Sequence, residues 1–245
     1  MRTDKRTDRT WPLPKTPWVM RMTWSKLLFA HWQVPAEHVA RWLPAGLTLD
    51  TYAGTAWVAV VPFLMSDVAP RGIPAIPGLS RFPELNLRTY VTCDGKPGVW
   101  FFSLEAANWL AVRAARKLFH LPYMDAKMSL CPQGEGFEYT SERTHRGEPR
   151  ANFAARYEPR GEALEAQPGT LEYWLTARYC LYSANGKGQL FRGEIDHEPW
   201  RLSPATCDFQ RNSIGESWGF DFSERPHLLF VDKISVRAWW LQRCD

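Results

Sequence analysis

Between Phe82 and Val91 the chain alternates with period two. Leu85, Leu87, Thr89 and Val91 fall on one face, and Glu84, Asn86, Arg88 and Tyr90 on the other. The pattern predicts a strand whose polar face sets a carboxylate, an amide, a guanidinium and a phenol in a row, about 7 Å apart. Such a row is either the wet side of a half-exposed strand or the wall of a polar cavity. Further strands are predicted over 24–34, 56–64, 99–103, 125–130, 136–144, 151–157, 171–183, 189–197, 200–202 and 230–241.

Two helices interrupt this series. After Pro35, Ala36, Val39, Ala40 and Leu43 recur at helical spacing until Pro44 ends the run. A longer helix is predicted from Ser103, read as an N-cap with Glu105 in the first turn. Ala107, Leu110, Ala111, Ala114, Ala115 and Leu118 mark one face, and Arg113, Arg116 and Lys117 the other. Residues 66–83 hold four prolines and two glycines and predict a long loop. Ile73, Ile76, Leu79 and Phe82 make it too apolar to touch only water, so it is expected to fold back over the body. Asn185-Gly186 predicts a type I′ hairpin turn, and 158–169 reads as a polar insertion. Many strands with two principal helices indicate one α+β domain around a mainly antiparallel, highly curved, barrel-like sheet.

Composition narrows the functional classes. With 45% hydrophobic residues and 13 Trp among 245 residues, a sizeable core is available, and the surplus Trp could also serve an oligomer interface. Arg2, Lys5, Arg6 and Arg9 against Asp4 and Asp8 supply half of the formal net charge of +4. The body is therefore nearly balanced, a poor footprint for nucleic acid. Residues 1–15 read as a disordered basic tail and 16–245 as the domain. No apolar run is long enough to span a membrane, and the first residues lack a secretory signal. Five scattered Cys without a CxxC argue against a disulfide framework or zinc cluster and fit a reducing cytoplasm.

Motif chemistry is sparse. GxGxxG, Walker, HExxH and GxSxG patterns are missing, and the six His never fall at metal-ligand spacing, so neither cofactor nor metal is expected. Candidate ligand-binding residues are Glu84, Asn86, Arg88 and Tyr90, with Arg88 a bidentate anchor for an anion. His31, on the first strand, is either a general base or a structural histidine. Lys127, central in the strand after the main helix, is a candidate Schiff-base amine if desolvation depresses its pKa, and otherwise an exposed lysine.

Trp24, Leu28–Trp32, Leu43–Leu47, Phe82–Val91 and Leu121-Pro122-Tyr123 together resemble the YqjF-like family of bacterial proteins (DUF2071) from about residue 20 onward. That resemblance implies an acetoacetate decarboxylase-like fold enclosing a polar pocket, with Glu84 facing it. The decarboxylases' Gly-Phe-Pro-Lys-Lys motif has no counterpart here: Tyr123 follows Pro122, and Lys127 lies four residues later. Three readings follow. The first is a cavity for a small organic acid or carbonyl compound, whether binding protein or enzyme. The second is a Schiff-base lyase using Lys127 and Glu84. The third is an oligomeric scaffold with a Trp-rich interface.

Overall fold

The computed structural model describes residues 8–244. Strand β1 (Met20–Val34) leads through helix α1 (Ala36–Ala40) and the short β2 (Thr48–Leu49) to β3 (Ala56–Pro70), β4 (Phe82–Cys93) and β5 (Lys96–Ala106). Helix α2 (Trp109–Phe119) crosses over to β6 (Tyr123–Gln133), which runs parallel to β5. Strands β7 (Gly136–Arg143) and β8 (Asn152–Pro159) continue as an antiparallel meander. The short β9 (Leu164–Glu165), helix α3 (Leu171–Thr176), β10 (Cys180–Ala184), β11 (Leu190–Asp196), β12 (Arg201–Asn212), β13 (His227–Ala238) and β14 (Gln242–Arg243) complete the chain.

Strand pairing closes on itself. Proceeding around, β4 pairs with β3, β3 with β1, β1 with β13, β13 with β11, β11 with β10, β10 with β5, and β5 again with β4. These strands make a barrel, which leaves no free edge along the circuit. Strands β6, β7, β8 and β12 form a second curved sheet, tied to the barrel through β5 and β13. One face of β1, β3 and β4 packs Leu28, Val58, Val60, Leu85 and Leu87 against Tyr139, Phe153 and Tyr157 of that second sheet. The opposite face turns inward to the barrel lumen.

Bulges decide which side chains face inward. Lys26 adopts φ 52° where the β1–β3 register slips, and the lumen-facing parity of β1 changes there, from Met22 and Trp24 to Leu27 and Phe29. On β5 the register slips at Phe102, so Val99 and Phe101 face the lumen before it and Leu104 after it. A bulge adds one residue, so each period-two stretch is continuous only between bulges.

Several expectations are corrected by the structure. Ser103 and Glu105 do not begin a helix. They stay buried in β5 because Arg143 lies opposite and bonds both, its Nε donating to Glu105 Oε1 at 2.9 Å. The helix starts instead at Asn108, whose side-chain oxygen accepts from Leu110 N and Ala111 N. Within 171–183 the first part is α3, capped by Thr170 Oγ1 accepting from Tyr173 N, and only the second part is strand. The turn at Asn185 is not type I′: neither Asn185 nor Gly186 has positive φ, and Asn185 Oδ1 accepts from Lys187 N and Gln189 N in a wider loop. Strand β3 runs on to Pro70 past a left-handed Asp67, shortening the expected loop. Of the expected tail, residues 1–7 lie outside the described residues, whereas Arg9 packs against the barrel with its side chain 2% exposed. No helix among the described residues is long and apolar enough to cross a membrane.

Candidate functional site

A cavity of about 240 Å³ occupies the barrel lumen, walled by β1, β3, β4, β5, β10, β11 and β13 and roofed by α2. Helix α2 is exposed over most of its surface, with Val112 its buried residue. Ala111, Ala114 and Ala115 line the cavity, and their small side chains leave the space beneath the helix open. Leu110 and Leu118, expected on the same packed face, are exposed instead.

Glu84, Asn86 and Arg88 all line this cavity and are 2, 6 and 9% exposed, so the polar face of β4 points inward. Glu84 Oε2 accepts a hydrogen bond from Tyr123 Oη at 3.0 Å, and its backbone carbonyl accepts one from Tyr139 Oη. Burial raises the Glu84 carboxyl to about 8, the Tyr123 hydrogen bond opposing and nearby Glu105 adding to the rise. Glu84 is thus predominantly protonated at neutral pH.

Arg88 lies 5.0 Å above the Phe29 ring and 5.7 Å from that of Tyr90. Its Nε has no hydrogen-bond acceptor, and no carboxylate pairs with it among the described residues. Arg178, from the segment between α3 and β10, also lines the cavity. Its Nη1 bonds Asp50 at 2.5 Å and its Nε bonds the Trp174 carbonyl, whereas its Nη2 is buried without a partner. Asn86 Oδ1 is likewise unmet. Buried polar atoms are almost always hydrogen-bonded, yet four on residues that line this cavity, Trp24 Nε1 being the fourth, have no partner among the described residues.

Tyr90 and His31, both fully buried, form a layer behind this row, His31 Nε2 lying 2.7 Å from Tyr90 Oη. Burial, reinforced by Arg88 and His227, holds His31 well below its ordinary pKa, so it is neutral. Neither residue lines the cavity; Tyr90 accepts a hydrogen bond from the Arg88 side chain, and His31 stands behind Tyr90. Lys127 stands apart. It is exposed on β6, beside Ser129 and Thr140 in a shallow outer groove, and no lysine lines the cavity among the described residues. The side chains missed by period-two reasoning are Arg178 and Tyr123. Arg178 comes from a helix exit distant in sequence, and Tyr123 begins a strand whose predicted start was residue 125. Among the tryptophans, Trp42, Trp109 and Trp240 are exposed and the rest are buried or half-buried.

The curved, closed sheet with its crossover helix is the acetoacetate decarboxylase-like fold. The fold superposes on the enduracididine biosynthesis enzyme MppR complexed with pyruvate with a TM-score of 0.63 at 12% identity, over 99% of each chain. It matches acetoacetate decarboxylase from Legionella pneumophila with a TM-score of 0.63 at 13% identity, over 96% of this chain and 93% of that one. Within that fold the chain belongs to the DUF2071 family, described as an uncharacterized conserved protein (COG2071), whose model spans residues 21–235. It is 41% identical to the uncharacterized protein YqjF of Bacillus subtilis (strain 168) over 232 residues, 94% of this chain and 95% of that protein.

Proposed function

We propose that the barrel cavity binds a small organic acid or carbonyl compound, with a carboxylate seated on Arg88 and Arg178. The observation that carries this reading is Arg88 itself: a buried arginine lining the cavity, with an unmet Nε–H and no carboxylate partner among the described residues. An unpaired buried charge is costly, and an incoming carboxylate would satisfy it with short, charge-assisted hydrogen bonds. Asn86 would hold a second polar atom of the ligand, its amide serving as acceptor or, after a half-turn, as donor. Glu84, carrying its proton near neutral pH, would donate to a bound carbonyl oxygen or carbon, which makes acid–base catalysis on a carbonyl substrate the natural extension of binding. The structural relative MppR, complexed with pyruvate, is consistent in ligand class.

The Schiff-base alternative needs an amine beside the ligand. Lys127 lies outside the cavity, so borohydride treatment in the presence of 2-oxo acids is expected to leave it unmodified; a trapped adduct there would restore that reading. The binding reading is tested by calorimetric titration of the wild-type protein and Arg88→Gln with a panel of organic acids. Saturable binding that weakens at least tenfold in Arg88→Gln is expected. Equal affinities in the two proteins, or no binding across the panel, would remove the proposal.

A further inference from the structure

Beyond the polar row, and apart from Tyr123, Thr176, Arg178 and Glu194, the cavity wall is apolar and rich in aromatic rings. Starting from Arg88, the Phe29 ring lies beneath the guanidinium, and the Trp200 ring meets Phe29 edge-on at 5.2 Å. Trp24 then stacks on Trp200 at 6.1 Å with an interplanar angle of 18°, and Phe63 meets Trp24 edge-on at 5.9 Å. Trp200 Nε1 donates to the Thr176 carbonyl at 2.7 Å, which fixes the central ring of this series in place. The aromatic surface therefore begins at the carboxylate seat and leads away from it. Aromatic walls favour an aromatic occupant, because offset and edge-to-face contacts contribute beyond the area buried.

The volume of about 240 Å³ is informative. An apolar protein cavity of ~150 Å³ is filled by one benzene molecule. The lumen exceeds that, so a ring leaves space for a carboxyl group and a short linker. Acetate or pyruvate would fill only the polar end and leave the aromatic part without contacts.

We propose that the occupant is a carboxylic acid bearing a single aromatic ring, its carboxylate on Arg88 and Arg178 and its ring along Phe29, Trp200 and Trp24. The proposal rests on the acid-binding reading above and narrows its ligand class. Helix α2 sets the size limit, since Ala111 and Ala115 leave the room the ring would occupy. A bulkier side chain at either position takes volume from the cavity.

The test is calorimetric titration with four probes: 3-phenylpropanoate, propanoate, hexanoate and 3-phenylpropan-1-ol. Burying the ring predicts that 3-phenylpropanoate binds about a hundredfold more tightly than propanoate. It is also expected to bind more tightly than hexanoate, and at least tenfold more tightly than the neutral alcohol. Ala115→Phe is expected to weaken 3-phenylpropanoate at least tenfold more than it weakens propanoate; if that variant fails to fold, Ala111→Leu makes the same test one turn earlier. Propanoate or hexanoate matching the aryl acid in an Arg88-dependent manner would overturn the ring proposal and leave the acid reading standing. The alcohol matching the aryl acid would overturn the acid reading instead, and with it this one.

Discussion

Replacing Glu84 by Gln tests the electrostatics of the cavity without changing its shape. Gln is isosteric and keeps an oxygen to accept from Tyr123, which Glu84 now does at 3.0 Å, but it carries no titratable proton. Burial raises the Glu84 carboxyl from 4.5 to about 8. Between those values the native state retains a proton that the unfolded chain releases. Proton linkage then makes the Glu84 contribution complete below pH 4.5 and progressively lost as pH rises to about 8. The slope is about 1.4 kcal/mol per pH unit for one fully differential proton. From pH 5.5 to 7.5 the wild type should therefore lose about 3 kcal/mol relative to Glu84→Gln. In a chain of this size that corresponds to roughly 5–10 °C in melting temperature. Urea titrations of both proteins at pH 5.5, 6.5 and 7.5 measure the difference directly. If the two stability curves run parallel with pH, Glu84 is not held neutral by burial, and its role as a proton donor falls with that result.

Other consequences are independent of any ligand. Arg143 and Glu105 form a buried ion pair with side chains 1% and 0% exposed, so Arg143→Met should cost roughly 3–5 kcal/mol in a chemical melt. Adding Glu105→Gln should recover part of that loss; a double variant as unstable as Arg143→Met alone would deny the pairing. A Cβ built on Gly136 falls 2.3 Å from the Tyr157 carbonyl oxygen, so Gly136→Ala must push β7 from β8 and should destabilise by about 1–3 kcal/mol, read by thermal melting. Among the cysteines Cys131 is exposed while Cys93, Cys180 and Cys244 are buried and Cys207 is held up at about 12, so timed alkylation with mass analysis should label Cys131 first.

How much of the fold is legible in the sequence depends on where the bulges fall. In β4 the parity that brings Glu84, Asn86 and Arg88 inward is uninterrupted, so the inward row could be read from alternation, and the family resemblance chose between cavity wall and wet face. In β1 and β5 the parity reverses at Lys26 and Phe102, and no residue type at those positions announces a bulge. Ser103 and Glu105 carried an adequate helix-start signal that was outweighed by a distant partner, since Arg143 keeps both in the strand. Local propensity yields to such tertiary pairing. Arg178 entered the site through barrel closure, because β10 reaches β5 by a parallel pairing that joins segments some eighty residues apart. Lys127 failed as a cavity residue for a simple reason. It belongs to the outer face of β6, in the second sheet, and the alternation that placed it opposite Ala126 said nothing about which side held the lumen.

Arg88 and Arg178 are proposed as the carboxylate seat of the barrel cavity. A crystal structure of the protein grown with 4-bromobenzoate addresses it most directly, since anomalous scattering from bromine fixes the orientation of the acid. The expected result places the carboxylate oxygens within about 3.2 Å of Arg88 Nε and Arg178 Nη2, with bromine toward Trp200. A carboxylate turned away from Arg88, or an acid bound only outside the barrel, would contradict the claim.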